Sequence, residues 1–207
     1  MLDINKIDNI SSYHSHKLNF FAVTKCAGTA IKASLLNHKI SNSTALRYDD
    51  VYEHPEAVYI TKDTAANMSD EWLNFSVIRH PYIRIQSLFK HFVLRDPSRL
   101  HELHPELPIC NIDDFVKFII YNTTEESCNH HMKSISSFLL DKNNVTIPDI
   151  VFDFDEEYKT VIDFLHSYGC TLQKANVSNI EVSLSVTSKR LIRERYSLDF
   201  ETFYFGE

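Results

Sequence analysis

Glycine is scarce in this sequence, with three residues in 207, and there is no low-complexity tract, internal repeat or linker-like shift in composition. Nothing therefore marks a second domain, and residues 1–207 read as one. Long apolar runs are missing as well. Residues 1–19 lack the basic start and apolar stretch of a secretory leader, and no later segment approaches the roughly 18 apolar residues of a membrane span. If the chain is full length, a soluble cytoplasmic protein with no integral membrane segment is expected. Cysteine pairs at metal-site spacing are absent: Cys26, Cys110, Cys128 and Cys170 are scattered, which fits a reducing compartment. His130 and His131 are adjacent and His101 and His104 are three apart, but no carboxylate or cysteine completes a ligand set, so no metal is expected. Positive charge is not in excess. A formal charge of −7 argues against broad capture of nucleic acid, and any polyanion must meet a local basic pocket.

What is present is a balance of 43% hydrophobic and 24% charged residues, enough for one domain that buries a core without staples. Residues 18–23 (LNFFAV) form a short aromatic-rich apolar run, followed by Thr24–Thr29 and then by Ile31, Leu35 and Leu36 at helical spacing. That is strand, loop, helix. Further strands are expected at 57–61, 74–79 and 150–154. Helices are expected at 64–72, from Pro81 through Phe92, at 112–121, 130–140 and 155–168 ending near Gly169, and at 187–205. Residues 95–110 hold three prolines in a polar setting and read as a functional loop that meets an acceptor. The alternation points to a three-layer α/β domain with a mainly parallel central sheet and helices on both faces.

The chemistry sits at strand ends. Gly28 falls between the first strand and the first helix, where the N–H groups of Ala27, Gly28, Thr29 and Ala30 would point out of a helix start whose dipole favours an oxyanion. Lys25 adds a positive charge and Thr29 a hydroxyl, so a phosphate or phosphosulfate suits the loop. An ordinary strand-to-helix turn has the same outline, and the GxxxxGK[ST] nucleotide loop is absent. Arg79 stands at the carboxyl end of another apolar strand with Ser87 eight residues on, and in an open α/β sheet ligands bind outside the carboxyl ends of strands. Arg79 suits a second phosphate with Ser87 as hydroxyl partner, or else a carboxylate or helix end.

Residues 20–35 (FFAVTKCAGTAIKASL) and 75–89 (FSVIRHPYIRIQSLF) resemble, in order, interval and spacing, the 5′-phosphosulfate loop and 3′-phosphate motif of carbohydrate-type sulfotransferases, family 2. The resemblance implies that Lys25, Cys26, Ala27, Gly28, Thr29 and Ala30 hold the 5′-phosphosulfate of 3′-phosphoadenosine 5′-phosphosulfate (PAPS), with Arg79 and Ser87 on its 3′-phosphate. Fainter likenesses continue through 129–141, 149–165, 174–179 and the tyrosine-aspartate-aromatic ending at 193–205. Thr24 departs from the family's usual proline. Where many bacterial-looking members carry a histidine after the second strand, this chain has Asp63, which reads as a replacement base or as a plain helix N-cap.

The implied reaction is transfer of a sulfuryl group from PAPS to an acceptor hydroxyl on a glycan or lipid-linked oligosaccharide, a small alcohol or phenol being the alternative acceptor. Lys25 is the candidate charge for the leaving oxygen, and Asp63, His131 and His104 are candidate bases in no order. No metal is required, because the leaving group is good. Two other functions share parts of the pattern: a non-catalytic nucleotide- or glycan-binding module of the same fold, and a P-loop-like kinase, for which Cys26 after Lys25 is the wrong residue.

Overall fold

In the computed structural model of the protein, residues 9–37, 54–95, 111–172, 180–203 and 205 are described. The chain divides into two compact units, Met1–Ile78 with Ser137–Val177, and Arg79–Ser136 with Ser178–Glu207. The strands are β1 (Ile10–Tyr13), β2 (Leu18–Ala22), β3 (Ala57–Ile60), β4 (Leu73–Ile78) and β5 (Ile150–Asp153). The helices are α1 (Gly28–Leu35), α2 (Lys62–Ala66), α3 (Pro81–Phe89), α4 (Ile112–Asn122), α5 (Ile135–Leu139), α6 (Tyr158–Ser167), α7 (Val186–Arg195) and α8 (Ser197–Thr202).

The first unit is built on one sheet of order β3-β1-β2-β4-β5. Strands β2, β4 and β5 pair in parallel, while β1 runs antiparallel to both β2 and β3, so four of the five strands share one direction. The four expected strands are present within a residue or so. Strand β1 was not expected, because Ile10-Ser11-Ser12-Tyr13 is short and half serine, yet both serines are buried in it. In β2 all five residues are buried, the pattern of a strand covered on both faces. Its Leu18, Phe20 and Ala22 join Phe75 and Val77 of β4 and Phe152 of β5 in a core closed by Ile31 and Leu35 of α1 and Val161 and Leu165 of α6. The Phe20 and Phe75 rings stack 5.0 Å apart, and each buried ring is worth about 1.5–3 kcal/mol. Asn19 donates to Asn74 Oδ1, its partner in the β2–β4 register, at 2.9 Å.

Helix α2 is shorter than the expected 64–72. Thr61 caps it by accepting from the Thr64 N–H at 3.1 Å, and it stops before Asn67, Ser69 and Asp70, whose side chains favour turns. Lys62 donates to the carbonyls of Ser137 (2.7 Å) and Leu140 (3.0 Å), satisfying acceptors at the end of α5. Helix α6 ends as expected at Gly169, which has φ 73°.

The second unit is helical. Pro81 opens α3, His80 Nδ1 accepts the Tyr82 N–H at 3.2 Å, and α3 continues as a π-helix over Lys90–Arg95. Arg95, expected in a loop, thus ends a helix; the rest of that segment, 96–110, lies outside the described residues, as does 174–179. Helix α4 begins at the expected place, capped by Asn111. Its Asp113 accepts from the Ser185 hydroxyl (3.0 Å) at the start of α7, and bonds from Ser188 and Ser185 hold its carboxyl below the usual range. Two expected helices are interrupted. The 130–140 helix is a 3₁₀ turn (His130–Met132) followed by α5, and 187–205 breaks at Tyr196 into α7 and α8.

Lys32 of α1 is fully buried, with Nζ 3.2 Å from Asn9 Oδ1 and 3.3 Å from the Tyr59 hydroxyl. Burial pushes its pKa down from 10.5 to about 7. Between those two values the Lys32 site holds more proton in the unfolded chain than in the folded one, so its contribution to stability rises with pH across the window and is constant outside it. Lys32→Met should remove this rise, which thermal unfolding of both proteins at a series of pH values will show.

Candidate active site

Strand β2 ends at Ala22 and α1 begins at Gly28, and the backbone between them is unusual. Lys25 (φ 64°) and Ala27 (φ 58°) are both left-handed, while Cys26 and Gly28 are not. Each left-handed non-glycine residue costs about 1–2 kcal/mol. Alternating handedness is the backbone pattern of an anion-binding nest, and here the Cys26 N–H turns back to the Val23 carbonyl at 3.3 Å, closing the turn that leads into α1. Among the described residues helix α1 has no side-chain cap and no acid in its first turn, so its first N–H groups do not meet the usual capping side chain. The Cys26 side chain is buried, with Sγ 3.6 Å from the Thr24 carbonyl, and anchors the turn. Lys25 is half-buried. This loop can hold an oxyanion with directed amides and a cation.

The special conformation does not fall on the glycine. A Cβ on Gly28 would stand 3.8 Å from Ala22 Cβ and 4.0 Å from the Val23 carbonyl, which is ordinary contact. Gly28 packs closely on the end of β2, and the strain lies at Lys25 and Ala27.

In the second unit Arg79 follows β4 directly and is half-buried, as is Ser87 on α3. Within the same unit His131 lies in the 3₁₀ turn. Asn129 Oδ1 accepts the His131 backbone N–H at 3.0 Å and lies 2.7 Å from His131 Nδ1. A backbone N–H only donates, which identifies the Asn129 atom as the oxygen; a ring nitrogen facing that oxygen then carries the hydrogen. Nε2 of the neutral ring therefore bears the lone pair, the form suited to accepting a proton. His91 (6.2 Å between ring centres) and Phe92 (5.5 Å), consecutive on the π-helix, both meet the His131 ring.

The residues after this turn are pinned by side chains. Arg84 donates to the Lys133 carbonyl (2.8 Å), and the Tyr196 hydroxyl to that of Met132 (2.7 Å). Glu125 accepts the Ser134 N–H (3.1 and 3.2 Å), and Asp199 accepts those of Ile135 and Ser136 (2.7 Å each). Asp199 is fully buried. Burial pushes its carboxyl up, against the pull of the Arg84 charge and the bonds from Ser136 and Ile135. Asn129, Glu125, Tyr196 and Asp199 were not among the expected site residues. The signals for them were faint: an asparagine two before a histidine, and the Tyr-x-x-Asp spacing near the end of the chain.

Asp63 is exposed in the first turn of α2, where its carbonyl accepts from Asn67 (2.7 Å). It is not the N-cap that the sequence suggested, since Thr61 takes that place. His104 lies outside the described residues. A family model described as "Sulfotransferase family" matches residues 9–206. The chain belongs to the sulfotransferase family. Searches of curated proteins and of solved structures give no match. The family match runs through both units of this sulfotransferase and includes the nest, Arg79 and the C-terminal Tyr196 and Asp199. No helix among its described residues is long and apolar enough to cross a membrane.

Because the strain of the nest rests on an alanine, Ala27→Gly should relieve it. The relief of about 1–2 kcal/mol is partly offset by about 0.4–1 kcal/mol of unfolded-state entropy. The variant sulfotransferase should gain roughly 0.5–1 kcal/mol in denaturant titration.

Proposed function

We propose that this sulfotransferase transfers a sulfuryl group from PAPS to a hydroxyl of a carbohydrate acceptor, a glycan or lipid-linked oligosaccharide, with residues 1–207 acting as one catalytic domain. The observation that carries this reading is the left-handed nest at Lys25–Gly28 opening an uncapped helix. There the amides of Ala27, Gly28, Thr29 and Ala30 would take the 5′-phosphosulfate of the donor, with Lys25 beside them and the Thr29 hydroxyl as a further donor of hydrogen bonds. Arg79 and Ser87 would hold the 3′-phosphate of the same nucleotide, the guanidinium as a bidentate fork.

PAPS supplies an activated sulfuryl group whose leaving oxygen gathers negative charge in an in-line displacement. Lys25 stands ready to meet that charge, the electrostatic role that a metal ion takes in phosphoryl transfer, so the chemistry requires no metal. The acceptor hydroxyl must lose its proton. His131 is the best-prepared base, because Asn129 holds its neutral ring in the Nδ1–H form, which places the lone pair on Nε2. Asp63, exposed at a helix start, has no comparable preparation.

Two measurements test the reading. Calorimetry with adenosine 3′,5′-bisphosphate should show Arg79→Ala binding about tenfold or more weakly than wild type, from the loss of about 1.5–3 kcal/mol of charge-assisted bonding. Equal affinities would remove Arg79 from the 3′-phosphate. Lys25→Ala should slow PAPS turnover by about 10²–10³-fold while nucleotide affinity and stability change little. Turnover near wild type would exclude Lys25 from the reaction, and nucleotide binding with no turnover in the wild type would mark a binding module.

A further inference from the structure

In the segment from Asn129 to Ser136 every residue from His131 onward has a backbone group held by a side chain of its own unit. The His131 N–H goes to Asn129, and the Met132 N–H returns to the Asn129 carbonyl at 2.7 Å. The Met132 carbonyl is held by Tyr196, the Lys133 carbonyl by Arg84, the Ser134 N–H by Glu125, and the next two N–H groups by Asp199. Tyr196 stands at the break between α7 and α8 and Asp199 in the first turn of α8, so one short C-terminal piece grips the segment at three backbone points. A five-residue helix such as α5 does not need a buried carboxylate to form. Asp199, fully inside and raised in pKa by burial, is an expensive way to cap one.

The expense has a use if the turn just upstream must not move. The Nδ1–H form of His131 is set by the Asn129 oxygen, and that residue is itself bonded to Met132, the residue Tyr196 clamps. A slip of the turn by a fraction of an ångström would break the Asn129 contact and let the ring settle with its hydrogen on either nitrogen. We propose that Tyr196 and Asp199 are positioning residues of this sulfotransferase, holding the Asn129–Ser136 segment so that His131 keeps its Nε2 lone pair for the acceptor proton. The proposal rests on the reading of His131 as the base. It assigns a role to the tyrosine-aspartate ending, which touches no reacting atom.

The test is made on the full chain, labelled with ¹⁵N, and His131→Gln identifies the His131 ring signals. Wild type should show one tautomer, with hydrogen on Nδ1. In Tyr196→Phe, which keeps the buried ring and removes only the hydroxyl, the two tautomers should mix. Hydrolysis of PAPS, with water standing in for the acceptor, should fall about tenfold or more while affinity for adenosine 3′,5′-bisphosphate holds. Asp199→Asn, which keeps one acceptor oxygen, should move both readouts the same way and serves if Tyr196→Phe does not fold. A variant with the wild-type tautomer overturns the proposal, whether or not its rate drops, because any loss would then not pass through His131. If His131→Gln hydrolyses PAPS at the wild-type rate, the base assignment itself falls and takes the proposal with it, even where the tautomers of Tyr196→Phe have mixed.

Discussion

Every helix begins with backbone N–H groups that its own turns cannot satisfy, and a folded chain must find acceptors for them. In this protein that obligation is met at four helix starts by a nearby side chain: Thr61 for α2, His80 for α3, Asn111 for α4 and Ser185 for α7. Helix α5 borrows carboxylates from distant sequence, Glu125 and Asp199. Among the described residues helix α1 has no side-chain cap, as is also true of α6 and α8, but it is the left-handed Lys25 and Ala27 that lead into it. The same donors are thus spent on internal cohesion at α5 and kept for an external anion at α1. The proposed chemistry of this sulfotransferase depends on that difference in treatment.

Unfavourable terms are concentrated around these places. Lys25 and Ala27 sit in a backbone region that L-residues avoid, Lys32 is a lysine without access to water, and Asp199 is a carboxylate in the interior. Ordinary packing offsets them: the aromatic and aliphatic core of the first unit, where Phe20, Phe75 and Phe152 meet Ile31, Val161 and Leu165, carries no such burden. Strain and desolvation of this kind persist only where the surroundings over-determine the geometry.

What could be read without coordinates followed from strong local patterns. The aromatic run into β2, the apolar run of β4, Pro81 at the start of α3 and Gly169 at the end of α6 each state their structure in a few residues, and the Lys25 loop and Arg79 follow strands β2 and β4 as expected. What was missed is non-local. Ser11 and Ser12 do not look like a buried strand until β2 and β3 pair on either side of them. Gly28 drew attention that belonged to Lys25 and Ala27, because left-handed conformations are ordinarily glycine's and here tertiary packing overrides that preference. Breaks at 133 and 196 within two apolar-periodic stretches follow from Asp199 and Tyr196 meeting residues more than sixty positions away. Periodicity carries no trace of such a contact.

The sheet's strand order also governs how the chain finds its shape. Strands β1 and β2 are joined by residues 14–17 alone, so that hairpin closes over a negligible distance in sequence. Strand β5, by contrast, meets β4 with Phe75 opposite Ile150, and most of the second unit's chain intervenes. Loop-closure entropy must be met before such a distant pairing returns any energy, and parallel pairings between remote segments are correspondingly slow. The antiparallel half of the sheet can therefore exist as a nucleus while β4 still has an open edge. During synthesis that edge of apolar residues waits for more than seventy further residues, an interval in which it is open to pairing with a neighbouring chain.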